Sequence, residues 1–336
     1  MGNFSNRIKL ASKIWPILAE RDLPHNLEGR GAIPGLGLLL QEAVSFEEII
    51  KLTLLEDTQT DFGRAISPAE AATLLFSSSG WTRTRKLTIG FWDAAWAALK
   101  ANPNDQVHVL YIGTGPYASL ALPVAAAFPQ EKLVVHAVDI HQESLDMLDR
   151  VLRHFDLEET FPTRLCADAT QVDWHKHLTV KPKIVLVECM DRALLREPQA
   201  KIVENLNQQY GSDFLLVPGR VMVNVYLYGE DGRIMENFPF FFLDSSGVVG
   251  RGADYSGSEH TISKEFSWED LEQGATERVH FSLETIVRVG PENILSDDEN
   301  AITREVYLPA LPSGTKKARI SYRLGCEPRD VRVEAL

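Results

Sequence analysis

Glu188 and Glu197 stand nine positions apart in "ECMDRALLRE", directly after the apolar run "KIVLV". Two carboxylates that face one another raise each other's proton affinity unless a cation lies between them. A planar guanidinium, with five fixed donors, suits such a pair better than a compact ammonium. On a continuous helix Glu197 would turn to the opposite face, because each residue advances by about 100°. A shared site therefore requires the segment to fold back as a loop. Glu197 precedes Pro198, which suits the first position of a following helix, and that helix start would help keep Glu197 ionised. Two solvated loop glutamates are the alternative reading of the same spacing.

A second group of residues precedes this one. "VLYIGTGPYASLALPVA" sets a Gly113-Thr114-Gly115 turn between an apolar strand and a helical pattern. Two glycines allow a tight turn and close approach of a ligand to the backbone. The N–H groups of a helix beginning there would favour an electronegative group. GTGPYA also fits the G-x-G-x-x-A variant of the dinucleotide fingerprint, so a nicotinamide oxidoreductase stays open. Asp139, in "HAVDIH", ends the next apolar run, where a carboxylate can accept both hydroxyls of a ribose. Asp168, in "LCADAT", ends the one after, placed to receive an exocyclic amino group such as adenine's. Either Asp alone reads equally as a helix N-cap. Together they outline an adenosine site in the crevice at the strand ends of an open α/β sheet.

These residues need a scaffold, and the chain reads as three sections. Residues 1–105 carry apolar residues at three-to-four spacing in "NRIKLASKIWPILAE", "FEEIIKLTLLED", "SPAEAATLLFSS" and "TRKLTIGFWDAAWAALKAN", a helical N-terminal cap. Residues 106–217 alternate short β-branched runs ("VHVLYIG", "LVVHAVDI", "TRLCADA", "KIVLVEC", "DFLLVPG") with helical patterns, which predicts a Rossmann-like, mostly parallel sheet. Residues 218–336 alternate with period two: Val221, Val223, Val225 and Leu227 share one face, as do Val279, Phe281, Leu283, Thr285 and Val287. That pattern predicts an antiparallel, β-rich and barrel-like section. The fold class expected is α/β, with a helical section before the sheet and a β-rich domain after it.

Composition narrows the functional classes. The 336 residues suit two or three domains, and 44% hydrophobic with 24% charged residues is ordinary globular composition. A formal net charge of −13 argues against a broad nucleic-acid or anionic-membrane surface. The first residues lack the apolar core of a signal peptide, and "MGNFSN" matches a myristoylation pattern poorly. No uninterrupted apolar run approaches membrane-spanning length. Cys166, Cys189 and Cys326 are widely spaced and form no C-x-x-C, which fits a reducing cytoplasm. His175 and His177 in "DWHKH" have no third ligand nearby in sequence, so no metal is expected. "ENFPFFFLD", residues 236–244, reads as core or strand.

The order of glycine turn, acid and acid resembles class I S-adenosylmethionine-dependent methyltransferases. The resemblance implies that Gly113, Thr114 and Gly115 meet the methionine part of the cofactor, Asp139 the ribose and Asp168 the adenine, with Ile140, Ala169 and Glu188 in the same set. Tyr111 stands where that family often has an acid, and Tyr117 replaces a third glycine.

Glu188, Met190 and Glu197 further resemble the "double-E" hairpin of the protein arginine methyltransferases, and "FLLVPGRVMVNVYL" resembles that family's passage from sheet to barrel. In "TRTRKLT", Arg85 best resembles the arginine that meets the cofactor carboxylate, with Arg83 close behind. The resemblance covers roughly residues 60–230. It implies Glu188 and Glu197 as catalytic residues and Met190, Asp191 and Arg192 as substrate contacts. Residues 230–336 contain no Thr-His-Trp loop, and "TDFGRAISPAEAATLL" replaces the tyrosine-rich lid motif. The acceptor expected is therefore a guanidino or amino group of a small molecule, arginine or a relative, rather than of a protein. A protein arginine substrate, an O- or C-methyl acceptor and a homodimer stay open.

Overall fold

The structure is a computed structural model that describes residues 59–60, 63–64, 78–190, 192–195, 198–251, 253–258, 260–268, 279–290, 293–295, 303, 305–324 and 331–336. Of the N-terminal helical patterns, those before residue 78 lie outside the described residues, as do Asp191, Glu197 and Cys326. Two short strands, β1 (Gln59–Thr60) and β2 (Gly63–Arg64), pair with each other.

Helix α1 (Ser78–Ala101) follows. Leu87, Phe91 and Ala95 recur every four residues along it and are fully buried, the ridge an amphipathic helix turns to a core. It leads into β3 (Val107–Ile112), α2 (Ala121–Ala127), β4 (Leu133–Asp139), α3 (Gln142–Phe155), β5 (Thr163–Cys166), β6 (Ile184–Val187), α4 (Gln199–Tyr210) and β7 (Leu215–Val217). The five strands are parallel and ordered β5-β4-β3-β6-β7. Numbered along this sheet alone the order is 3-2-1-4-5, a Rossmann-type winding whose switch point falls between β3 and β6. Val109, Leu110, Tyr111 and Ile112 are all buried. That is why β3 reads as a continuous apolar run: in a parallel sheet both faces are covered. On α3, Leu145, Leu148, Val151, Leu152 and Phe155 form one buried stripe, and the helix stops at Asp156 in a left-handed conformation (φ 57°).

The remaining strands are antiparallel. They are β8 (Arg220–Tyr228), β9 (Ile234–Asp244), β10 (Gly247–Gly250), β11 (Asp254–Ser256), β12 (Thr261–Ser267), β13 (His280–Arg288), β14 (Ile294–Leu295), β15 (Val306–Tyr307), β16 (Lys317–Arg323) and β17 (Val331–Ala335). One sheet runs β10-β9-β8-β13-β14 with β15 also on β13, and the other runs β11-β12-β16-β17. The period-two faces expected from the sequence are the buried ones: Val223, Val225, Leu227, Phe281, Leu283 and Thr285 are inaccessible. Phe240, Phe241, Phe266, Phe281 and Tyr322 meet ring to ring beside them. Truncating one such ring to alanine costs about 3–5 kcal/mol. "ENFPFFFLD" lies in β9 and supplies part of this core.

Two units result, dividing at Glu188/Cys189, Ser212/Asp213 and Pro218/Gly219. The first holds the parallel sheet and the second the antiparallel sheets, with the segment Cys189–Ser212 belonging to the second. No helix among the described residues is long and apolar enough to cross a membrane.

Candidate functional site

Backbone bonds between parallel strands carry the candidate residues to one sheet edge. Glu188 N–H donates to Ile112 O at 3.1 Å, Gly113 N–H to Val138 O at 3.0 Å, and Ala167 N–H to Asp139 O at 3.0 Å. Gly113, Asp139, Asp168 and Glu188 thus leave the carboxyl ends of four neighbouring strands, two of them flanking the switch point, where open α/β sheets bind ligands.

Gly113 (φ 75°) and Gly115 (φ 56°) both occupy the left-handed region, which a side chain would disfavour. No atom lies within 4 Å of where a Gly115 side chain would begin, so space opens over the turn. The helix expected to start here begins only at Ala121. The intervening turn buries Tyr117 and passes through Ala118 at φ 43°. The Gly115 N–H therefore meets no helix-start ligand position and instead donates to Asp139 Oδ2 at 2.8 Å.

Asp139 Oδ1 accepts the His141 N–H at 2.9 Å. Burial pushes the Asp139 carboxyl above the usual range, against the opposing pull of the His141, Gly115 and Ile140 N–H groups. Each carboxylate oxygen can still accept a second bond. Thr114 Oγ1 is buried with no hydrogen-bond partner among the described residues. An orphaned buried hydroxyl costs stability unless something satisfies it. The orphan, the open space over Gly115 and the spare lone pairs on Asp139 fit an adenosine-bearing cofactor along this edge.

Asp168 is engaged locally. Its Oδ1 accepts the Thr170 N–H at 2.9 Å and the Thr170 hydroxyl at 2.7 Å, and its Oδ2 accepts Gln171 Nε2 at 3.0 Å. No helix begins here for it to cap; the side chain instead holds the turn through Thr170 and Gln171, and adenine would have to share Oδ2 with Gln171. Ala169 beside it is buried, whereas Ile140 keeps 39% of its surface and offers an apolar face next to Asp139.

Glu188 does not stand alone. Arg83 Nη2, on α1, lies 3.0 Å from Glu188 Oε1, with the two side chains 20% and 24% exposed. Burial pushes the Glu188 carboxyl upward, and the Arg83 guanidinium opposes that shift. Arg85 is half-buried; two residues further along the helix, it starts from nearly the opposite side. The structure brings Arg83, not Arg85, to Glu188.

Arg192–Leu194 is a single 3-10 turn in which Ala193 (φ 56°) and Leu194 (φ 55°) are both left-handed. Such conformations are costly for residues with a Cβ and persist only where surroundings hold them. Here Ala193 N–H donates to Thr285 Oγ1 at 2.7 Å and the Tyr322 hydroxyl donates to Ala193 O at 3.0 Å. Met190 is buried and Arg192 half-buried. Thr285 and Tyr322 were not singled out as site residues from the sequence; their only signal was membership of alternating strands. His175 and His177 are exposed at a short 3-10 turn, and no group of three metal-ligating side chains occurs among the described residues.

The winding and the strand ends define an α/β chain of the Rossmann-like class, with an antiparallel β-rich unit. The chain matches no protein-family profile and no curated protein. Among solved structures it is similar to the Trypanosoma brucei PRMT1 enzyme–prozyme heterotetrameric complex with AdoHcy, at 16% identity over 72% of this chain and 84% of that one, with a TM-score of 0.46.

Proposed function

We propose that this protein is an S-adenosylmethionine-dependent methyltransferase acting on a guanidino or amino group, of free arginine or a related small metabolite. The observation that carries the reading is the edge formed by the Gly113–Gly115 turn, Asp139 and Glu188 at the ends of adjacent parallel strands. Gly113, Thr114 and Gly115 would receive the amino-acid part of the cofactor, and Asp139 the ribose. The cofactor supplies an activated methyl group, so positioning contributes most of the catalysis. Glu188 would hold the acceptor's positive charge away from the attacking nitrogen, an electrostatic contribution of a few kcal/mol. Its present partner is itself a guanidinium, which supports the chemical match.

Radiolabelled S-adenosylmethionine with a panel of free amino acids and a cell extract tests this directly. Label in the small-molecule fraction, lost in Glu188→Gln while S-adenosylhomocysteine still binds, is the expected result. Equal turnover in Glu188→Gln would sink it. The ion pair to Arg83 favours one second reading, a cofactor-binding scaffold that does not turn over, because Glu188 is already occupied. Binding of S-adenosylhomocysteine with no labelled product in any fraction would select that reading.

A further inference from the structure

We infer that one face of the β8–β13–β15 sheet is a binding site for an organic cation, a guanidinium or alkylammonium group, held by Glu284 and Glu305. The inference concerns the second unit alone and does not rest on the methyltransferase reading. Register builds the site. Tyr228 is paired with His280, Tyr226 with Ser282 and Asn224 with Glu284. On the other side of β13, Ser282 is paired with Tyr307 and Leu283 with Val306. Continuing that register by one residue sets Glu305 opposite Glu284. Because Phe281, Leu283 and Thr285 turn to the core, strand alternation gives Ser282, Glu284 and their partners the opposite face.

The two carboxylates are held alike. Glu284 Oε2 accepts the Tyr226 hydroxyl at 2.9 Å and Asn224 Nδ2 at 3.4 Å, and Glu305 Oε1 accepts the Tyr228 hydroxyl at 2.7 Å. All three donors are neutral. Glu284 is 8% exposed, and neither glutamate forms an ion pair among the described residues. Two further atoms on this face are unsatisfied: Glu305 Oε2 is buried without a partner, and Ser282 Oγ, in a fully buried residue, meets no group with hydrogen-bond geometry although the Tyr228 hydroxyl is near. Both carboxylates thus have neutral donors alone among the described residues, and a cation between them would supply the charged partner that neither has.

Aromatic rings favour an organic cation over a metal. The Tyr228 and His280 rings stack at 5.2 Å, and Tyr307 leans on both at 6.2 Å. Ring faces attract guanidinium and ammonium groups. A metal would need more ligands than these, and no three ligating side chains cluster among the described residues.

Calorimetric titration of the full chain at low salt, with methylguanidinium chloride and its neutral analogue methylurea, tests the site. Expected are saturable binding of methylguanidinium alone, at least tenfold weakening in Glu284→Gln and in Glu305→Gln, and no change in Glu334→Gln, an exposed carboxylate on the other antiparallel sheet. Glutamine keeps an oxygen to accept the tyrosine hydroxyl and no ion pair is lost among the described residues, so the Tm of both variants should stay close to the parent's and lost binding would not reflect lost folding. If Glu284→Gln fails to fold, the exposed Tyr307→Ala carries the test with a several-fold loss. Equal binding of methylurea, unchanged affinity in the Glu284 and Glu305 variants, loss confined to Glu188→Gln, or saturation by magnesium chloride at lower concentration would each overturn the inference.

Discussion

Arg83 Nη2 lies 3.0 Å from Glu188 Oε1, so the carboxylate at the end of β6 already holds a guanidinium supplied by α1. Among the described residues only Oε1 is engaged, and Oε2 keeps its capacity for a second donor. On the proposed reading, an incoming guanidinium would be bound beside Arg83 or in its place. Either way Arg83 governs how much negative charge Glu188 offers.

The first prediction follows from that pairing. Arg83→Met leaves Glu188 without its counter-charge, and the carboxyl, already raised by burial, rises further. Breaking a fully buried pair costs about 3–5 kcal/mol; the partial exposure of this one discounts the loss to about 1–2 kcal/mol. Adding Glu188→Gln should recover most of it. A double-mutant cycle by thermal unfolding checks the coupling, and an Arg83→Met protein as stable as the parent would show that solvent already screens the pair.

Asp139 is the second test. Asp139→Asn places an NH2 against either the Gly115 or the His141 N–H, so one of the two bonds that shape the turn is lost. S-adenosylhomocysteine affinity should fall at least tenfold, about 1.4 kcal/mol or more. Titration calorimetry reads it. Unchanged affinity would reduce Asp139 to a clamp on the glycine turn.

How far the sequence reveals this site depends on the range of the interaction. β3, β4 and β6 are legible because near-full burial forces continuous apolar runs, and β8 because one buried face forces alternation. Arg83 was legible in principle: with Leu87 and Phe91 it lies at four-residue spacing on the buried ridge of α1, whereas Arg85 does not. The late start of α2 was hidden, since nothing local announces that Tyr117 is buried and Ala118 left-handed. The bond between Ala193 and Thr285 spans 92 residues, and the pairing of Glu284 with Glu305 depends on strand register. No local pattern encodes either.

The third prediction concerns pH. His136 stacks on His108, with His108 Nδ1 3.2 Å from His136 Nε2, and its own Nδ1 lies 3.0 Å from Thr163 Oγ1. Burial, with the neighbouring His108, pulls its pKa from 6.5 to about 4, and burial lowers that of His108 too. Above pH 6.5 the ring is neutral whether the chain is folded or not. Between 6.5 and about 4 the unfolded chain takes up the proton and the folded chain resists, so stability falls as pH drops through this window. Thermal scans at pH 7.5 and 4.5 should show the loss, with His136→Gln losing about 1–2 kcal/mol less than the parent over that interval. Parallel curves for the two proteins would show that His136 is not the group responsible.

The turn at Ala193 gives the fourth. Its φ of 56° and ψ of 19° place a residue with a Cβ in the left-handed region, at a cost of about 1–2 kcal/mol. Glycine removes that strain but gives the unfolded chain more freedom, so Ala193→Gly should stabilise by only about 0.5 kcal/mol. Tyr322→Phe acts in the opposite direction. It leaves Ala193 O without its donor, and losing a buried hydrogen bond costs about 1–3 kcal/mol. The two substitutions should therefore shift Tm with opposite signs in differential scanning calorimetry. A fall in Ala193→Gly would mean that the turn holds its shape through the alanine methyl rather than in spite of it.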